Sequence, residues 1–262
     1  MVKMGLFVLI FMTLALSGCE TQVESITLAA GTTTVDSGLL DFILPAFTEE
    51  TGLQVRVISV GTAAALQLGR NGEADVLLVH DRIAEDRFVA EGYATKRHDV
   101  MYNDFIIVGP AGSIASNNNV EQTFMNILNY NLPFVSRGDY SGTHIKELRI
   151  WESLGVLPED NAAYISAGQD MGATLGMAIE MDAFALVDRA TWLQYPDVGN
   201  LIIICENSEQ LLNHYGILVV YTTLLPTESQ AFFDWITSPH IQQLISTFGA
   251  EEFGHPLFFP NA

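Results

Sequence analysis

The sequence predicts an α/β protein built from two lobes, and three observations favour this fold. Short apolar runs alternate with helical patterns along the chain, which is the order of strand–helix units in a sheet covered by helices. The 262 residues are enough for two lobes of ordinary size, and the 49% hydrophobic content is sufficient for a packed core. A loop rich in Gly, Ser and Asn, at 111–119, separates two such series. We therefore expect two α/β lobes joined by crossing strands, with a ligand cleft at the strand ends.

The first series supplies strands and helices in strict alternation. Apolar residues recur on one face of 36–51 at helical spacing, and the helical patterns at 63–71 and 83–91 stop at Gly72 and Gly92. The run 76–79 is entirely apolar, as in the centre of a parallel sheet. The predicted strands of this series are 26–30, 54–60, 76–79 and 103–109.

The second series follows the loop and ends in a return segment. Its predicted strands are 132–135, 164–167, 184–187 and 201–205, followed by a strand at 216–221 and a helical region at 228–248 that is interrupted near Ser238-Pro239. We assign 26–108 and 216–262 to lobe I, and 109–215 to lobe II. Cys205 lies within an apolar run and is predicted to be a buried, inert thiol.

The N-terminus has the order of a secretory signal. Lys3 precedes an apolar run at 6–16, which is too short to span a bilayer well, and Leu16-Ser17-Gly18-Cys19 follows. This ending resembles a bacterial lipoprotein signal, which would make 1–18 the signal peptide, Cys19 the lipidated residue and 19–25 a polar tether. An ordinary secretory signal with a chance cysteine is the alternative. Either signal predicts an extracytoplasmic protein, and the lipoprotein signal adds a membrane anchor.

The charge balance excludes two classes of partner. Eleven basic residues oppose 31 acidic ones, for a formal net charge of −20. This balance argues against nucleic acid and against an anionic membrane surface as partners. It says nothing about one local pocket.

Two strand-to-helix junctions combine glycine with hydroxyl groups. Thr32 and Thr33 follow Gly31 after the first predicted strand, and Gly61-Thr62 follows the second. Glycine lets the backbone approach a ligand closely, and a helix start offers unpaired N–H groups to an anion. The alternative is ordinary helix capping, with Thr34 or Asp36 as the cap of the first helix.

The third and most informative junction is the segment 136–143. Arg137 supplies a permanent charge and a planar fork of donors, while Ser141, Gly142 and Thr143 supply hydroxyl and backbone N–H groups at a helix start. One arginine among neutral donors is typical of a site for a small oxyanion. The alternative is an exposed turn in which Arg137 pairs with Asp139 or Glu147.

Catalytic, nucleotide and metal motifs are missing from the sequence. There is no Gly-x-x-x-x-Gly-Lys-Ser/Thr loop and no Gly-x-Ser-x-Gly elbow, and the six histidines have no metal-ligand spacing. Ser141 and His144 suggest a secreted hydrolase as an alternative, but they lie three residues apart with no third orienting group. We expect no enzyme activity, no cofactor and no metal ligated by side chains. His80-Asp81 follows a strand and is interpreted as a hydrogen-bonded loop.

Together these segments resemble the tungstate-binding lipoproteins of bacterial ABC importers over nearly the whole mature length. The stretches that carry the resemblance are 32–41, 60–62, 72–81, 100–105, 134–139, 141–144, 168–175 and Asp188-Arg189. The resemblance implies a type II periplasmic-binding-protein fold, with two α/β lobes, a hinge and a cleft that closes on tetrahedral tungstate. It also implies that Thr33, Thr62, Arg137 and 141–143 lie near the oxyanion, which is held by hydrogen bonds. Arg189 is a further candidate contact.

The expected function is therefore capture of an oxyanion outside the cytoplasm. The protein would deliver tungstate to the permease and ATPase subunits of an ABC importer, as a lipid-anchored monomer. Molybdate has the same charge and shape and nearly the same size, so it is an alternative ligand. Phosphate is another, and would need a carboxylate acceptor such as Asp139 or Asp188 for its proton. A sensor module that uses the same cleft is a further alternative.

Overall fold

Alternating strands and helices make up the part of the chain that the computed structural model describes, residues 25–262. The predicted signal peptide, Cys19 and all but the last residue of the predicted tether lie outside the described residues. The first elements are β1 (Ser25–Ala30), α1 (Thr32–Asp36), α2 (Leu39–Thr51), β2 (Gln54–Ser59), α3 (Thr62–Asn71), β3 (Val76–Val79), α4 (Arg82–Ala90) and β4 (His98–Pro110). They are followed by α5 (Val120–Asn129), β5 (Phe134–Ser136), α6 (Gly142–Ser153), β6 (Tyr164–Ser166), α7 (Met171–Glu180), β7 (Ala185–Asp188) and α8 (Arg189–Gln194). The last are β8 (Leu201–Cys205), β9 (Leu212–Val219), α9 (Pro226–Ile236), α10 (Pro239–Ile245), α11 (Ala250–Phe253) and β10 (Phe259–Pro260).

The long strand β4 belongs to two groups of strands. Its first part, His98–Asp104, pairs antiparallel with β9, and its second part, Phe105–Pro110, pairs antiparallel with β7 and β8. The path through the first group is β10-β4-β9-β3-β1-β2, and β5 and β6 form a separate parallel pair. Strand β4 therefore crosses from one group of strands to the other.

The alternation of strands and helices predicts parallel sheets, whereas the sheet of the first group is mixed. Strand β1 is parallel to both β2 and β3, as strand–helix–strand units require, but β9 runs antiparallel to β3 and to β4. The antiparallel pairs arise because β9, the return strand, lies between β3 and the crossing strand β4 and is antiparallel to both. The α/β class itself is confirmed.

Buried apolar side chains of the described residues form four clusters, two beside each group of strands, and each pair of clusters is treated as one core. Residues of β1, β3, α2, α3, α4 and α9 fill the first core, in which Phe88 of α4 is fully buried. Residues of α5, α6, α7 and β5 to β8 fill the second, together with the later part of β4, and Trp151 of α6 is fully buried there. Cys205 is a free, buried thiol of the second core, as predicted, and burial raises its pKa. Between residues 25 and 262, no helix has the length and apolar character to cross a membrane.

The predicted helix at 36–51 is in fact two helices. Gly38 has a φ of 82°, a left-handed conformation that ends α1 and allows α2 to begin at Leu39. Helix α1 starts at Thr32, four residues before the predicted start. As a result, Thr32 and Thr33 lie within a first helical turn instead of before it.

Candidate anion-binding site

The three glycine-containing junctions meet at His80, the residue that follows β3. A Cβ atom added to Gly31 would lie 3.1 Å from His80 Cδ2, and one added to Gly142 would overlap the His80 ring. The backbone N–H of His80 points to Thr62 Oγ1 at 3.5 Å. His80 therefore contacts the junction before α1, the junction before α3 and the junction before α6.

The second and third junctions also touch each other directly. A Cβ atom added to Gly61 would lie 3.6 Å from Ser141 Cα, which is van der Waals distance. Thr62 belongs to the first core's side of the molecule, whereas Ser141 starts the helix that carries Trp151 of the second core. The hydroxyl residues at this meeting point are all buried, and they are Thr33, Thr62, Ser141 and Thr143.

The first turns of α1 and α3 are open to an acceptor. Neither helix has a side-chain cap, and Gly31 and Gly61 hold the two N-cap positions. The Thr34 hydroxyl donates to the Gly31 carbonyl at 2.7 Å, so it does not cap α1 as the capping alternative requires. The first N–H groups of a helix have no earlier carbonyl to bind, and they carry the positive end of the helix dipole.

Helix α6 is capped by Ser141, yet its first residues stay available. Ser141 Oγ accepts from the backbone N–H of His144 at 3.4 Å. The N–H groups of Gly142 and Thr143 precede that bond in the first turn. This junction therefore offers two backbone donors and the Thr143 hydroxyl beside the His80 ring.

Arg137 is buried and only partly paired. Its Nη2 donates to Asp139 Oδ2 at 2.6 Å, while Asp139 Oδ1 accepts from the Ser141 N–H at 3.0 Å. The Nε of Arg137 is buried and has no hydrogen-bond partner among the described residues. The alternative of an exposed turn was right about the pairing with Asp139 but wrong about exposure, because only 5% of Arg137 is accessible.

The electrostatic environment keeps His80 neutral. Burial is the main cause that lowers the pKa of His80 to about 4, and the Arg137 charge adds to it, whereas Asn213 and the charge of Asp81 oppose it. Burial would raise the pKa of Asp139, but hydrogen bonds from Ser141 and the charge of Arg137 outweigh it and lower that pKa. At neutral pH the site therefore has one permanent cation, one paired carboxylate and an uncharged imidazole.

A polar network behind His80 was missed by the sequence analysis. Asn213 Nδ2 donates to Asn103 Oδ1 at 2.9 Å and to the Tyr215 hydroxyl at 3.0 Å. The Tyr215 and His80 rings lie 5.0 Å apart, and burial raises the pKa of Tyr215. These residues come from β4 and β9, which meet only through strand pairing, so no local motif in the sequence could reveal them. His80 itself had a usable signal, because it follows the fully buried strand β3.

Arg189 is engaged elsewhere. Its guanidinium binds Asp104 at 2.6–3.1 Å and Glu206 at 2.8 Å. It lines a different cavity of about 480 Å³, whose other residues include Tyr102 and His255. The structure therefore does not bring the Arg189 side chain to the three junctions.

Ser141 and His144 do not form a nucleophile–base pair. His144 Nδ1 accepts from the backbone N–H of Tyr140 at 2.9 Å, and the bond to Ser141 Oγ comes from the backbone of His144, not from its ring. A general base would need a ring nitrogen on the hydroxyl. The geometry gives the hydrolase alternative no support.

Comparison with protein families places this arrangement in a known class. The family described as "PBP superfamily domain" matches residues 19–240. The chain belongs to the PBP superfamily. Its α/β fold with two groups of strands and a crossing strand is the fold of this superfamily, so the fold predicted from the sequence is confirmed.

Within the PBP superfamily the chain is similar to proteins named for tungstate. It is 45% identical to the tungstate-binding protein TupA of Peptoclostridium acidaminophilum, over 96% of this chain and 95% of that protein. It is 37% identical to the TupA protein of Campylobacter jejuni, with 87% and 88% covered. The solved structure of the tungstate-binding protein TupA from Desulfovibrio alaskensis G20 superposes with a TM-score of 0.81 at 36% identity, covering 92% of this chain and all of that one. The resemblance drawn from the sequence is confirmed, and these relatives are named as binding proteins, not as enzymes.

Proposed function

We propose that this protein is an extracytoplasmic solute-binding protein that captures tungstate and delivers it to an ABC permease. The observation that carries the proposal is the buried guanidinium of Arg137, whose Nε has no partner among residues 25–262, together with the uncapped first turn of α3 and the Gly142 and Thr143 N–H groups of α6. A permanent charge with several neutral donors is suited to a dianion whose charge is spread over four oxygens. The names of the relatives support tungstate as that anion.

The proposed contacts are residues of the three junctions that meet at His80. The oxyanion would be held by Thr32, Thr33, Gly61, Thr62, Arg137, Ser141, Gly142 and Thr143. We propose no contact for Arg189, because both carboxylates that it binds would have to release it first.

The state of two carboxylates favours a fully ionised oxyanion over phosphate. Both oxygens of Asp139 accept hydrogen bonds, from Arg137 and from the Ser141 N–H. Both oxygens of Asp188 accept from Thr191, one from its N–H and one from its hydroxyl. Phosphate carries a proton near neutral pH and needs a free acceptor, whereas tungstate and molybdate need donors only.

We further propose that 26–108 with 216–262 and 109–215 act as two lobes that close on the anion. Support comes from the two separate cores and from the burial of the hydroxyl residues between them. The signal at 1–18, lipidation of Cys19, a monomeric state and docking to permease and ATPase subunits complete the proposal. The signal and the lipidation rest on the sequence pattern alone, and a solved structure named for a tungstate ABC transporter supports the permease partner.

Calorimetry of the purified protein tests the proposal. Tungstate and molybdate should bind, and phosphate and sulfate should bind more weakly or not at all. Arg137→Ala should weaken tungstate binding by roughly a hundredfold or more, because it removes a buried charged partner of the anion. Arg137→Lys should recover only part of the affinity, since the planar fork of donors is lost.

A matched control removes an arginine outside the site. Arg87 on α4 is 77% exposed, and Arg87→Ala should leave the tungstate affinity unchanged. Tungstate binding by Arg137→Ala at wild-type affinity would rule out the proposed site. No heat change with any of the four oxyanions would rule out the proposed function itself.

A further inference from the structure

One ion pair joins the two cores next to the proposed site. Arg149 Nη2 donates to Asp81 Oδ1 at 2.7 Å and to Asp81 Oδ2 at 2.9 Å. Arg149 belongs to α6, whose Trp151 is buried in the second core, and Asp81 precedes α4, whose Phe88 is buried in the first. The two residues are 68 positions apart in the sequence. A bond between separate cores restrains the position of one relative to the other.

Each partner is linked to a different wall of the proposed site. Asp81 directly follows His80, and its side chain also caps α4 by accepting from the Ala84 N–H at 3.2 Å. Arg149 lies two helical turns after Gly142, the first residue of α6. A pull between Asp81 and Arg149 therefore draws the start of α6 towards the His80 ring.

A second basic side chain of α6 binds the backbone at the start of β9. Lys146 Nζ donates to the Leu212 carbonyl at 3.1 Å, at the beginning of β9. Lys146 and Arg149 are three residues apart, so they lie on the same face of α6. Two of the eleven basic residues of an acidic chain thus bind this helix to its surroundings, Arg149 to Asp81 and Lys146 to the start of β9.

We propose that Asp81 and Arg149 are a positioning pair that raises oxyanion affinity without touching the oxyanion. The pair holds the Gly142 and Thr143 donors against His80 when the site is closed, and it rests on the proposed function. Asp81 is 11% exposed and Arg149 39% exposed at their side chains, so the effect is moderate. We expect the loss of the pair to weaken tungstate binding by about five- to tenfold, mainly through faster dissociation.

Asp81→Asn is the decisive variant because two explanations predict opposite signs. Asparagine caps a helix as well as aspartate does, so α4 keeps its cap. Removing a negative charge beside an anion site should strengthen anion binding if only through-space charge matters. The positioning pair predicts weaker binding instead. Asp86→Asn on the same helix is the matched control, since Asp86 is exposed and pairs with the exposed Arg82 of its own helix.

The test is a double-mutant cycle of Asp81→Asn and Arg149→Gln, measured as the Kd for tungstate and as the urea midpoint of the ligand-free protein. The pair predicts that both single variants weaken binding, that the double variant is little worse than either, and that the ligand-free midpoints show no such coupling. Tighter or unchanged binding by Asp81→Asn overturns the proposal, and so does an additive effect on Kd. A wild-type protein that binds none of the oxyanions overturns the proposed function as well, which separates the two failures.

Discussion

Glu147 is a buried carboxylic acid on the helix that starts at the proposed site. Its Oε1 accepts from the Tyr164 hydroxyl at 2.8 Å and from the Trp151 indole N–H at 3.3 Å. Burial raises the pKa of Glu147 to about 7, although hydrogen bonds from Ser136, Tyr164 and Trp151 oppose the rise. The folded protein therefore holds a proton on Glu147 at a pH where the unfolded chain has lost it.

Glu147→Gln should change how stability depends on pH. The pKa of Glu147 is higher in the folded protein than in the unfolded chain. The stabilisation that proton binding by Glu147 gives the folded state is therefore fully present below about pH 4.5 and is lost as pH rises through 7. Glutamine keeps the accepting oxygen but cannot ionise. The free energy of unfolding should be measured by urea denaturation at pH 5 and at pH 8. From pH 5 to pH 8 the free energy of unfolding of the variant should rise by on the order of 2 kcal/mol relative to that of wild type.

Glu152→Gln is the matched control for this effect, because Glu152 is exposed on the same helix. The free energy of unfolding of Glu152→Gln should depend on pH in the same way as that of wild type. If the free energy of unfolding of Glu147→Gln showed the same pH dependence as that of wild type, Glu147 would not be the group that takes up the proton.

At the start of α6, a contact with a distant residue outweighs the helix propensity of the local sequence. Alanine is a better helix former than glycine, so Gly142 at the first position of α6 is locally unfavourable. Its lack of a side chain is what allows the His80 ring to lie against the backbone. The glycine therefore places the open end of one helix on the loop that follows β3.

Gly142→Ala should weaken tungstate binding by roughly tenfold or more, because the new methyl group overlaps the His80 ring and moves α6 off the loop. Calorimetry measures the change. Gly172→Ala is the control, since Gly172 lies in the first turn of α7 and its added Cβ would be 3.5 Å from the nearest atom. Wild-type tungstate affinity in Gly142→Ala would show that the His80–Gly142 contact does not position the donors of the proposed site.

At the scale of the whole molecule, the net negative charge of the protein repels the anion that the proposed site attracts. The chain carries a formal charge of −20, while the proposed ligand is a dianion. The site offsets this repulsion only at short range, through Arg137 and the helix N-termini. Approach from a distance is therefore governed by the net charge, and final binding by the local donors.

Added salt should accelerate tungstate association, the reverse of the usual result for a charged ligand and its receptor. Screening of like charges grows as the Debye length falls from about 30 Å at 0.01 M to about 8 Å at 0.15 M. Stopped-flow tryptophan fluorescence should show an association rate constant roughly twofold higher or more at the higher salt concentration. A rate that falls with salt would mean that the local field of Arg137 reaches beyond the net charge.

The sequence by itself determined the alternation of strands and helices and most of the residues at the three junctions. Apolar periodicity, glycine at helix boundaries and hydroxyl residues before helices are local features, so a linear chain displays them. For this reason 76–79, 201–205 and the Gly61-Thr62 helix start were predicted correctly or nearly so. The split of the helix after Asp36 was missed because apolar spacing alone does not reveal that Gly38 takes a left-handed φ of 82°.

Only the tertiary structure decided where those junctions lie relative to one another. It brought Gly31, Thr62 and Gly142 to one residue, His80, left the Nε of Arg137 unpaired within the described residues, and paired Arg189 with two carboxylates. Contacts of this kind join residues that are tens of positions apart, and their energies depend on burial and on the partners that remain free. Sequence periodicity reports neither quantity, which is why the candidate donors could be proposed from the chain, but their meeting point at His80 and the Asp81–Arg149 pair could not.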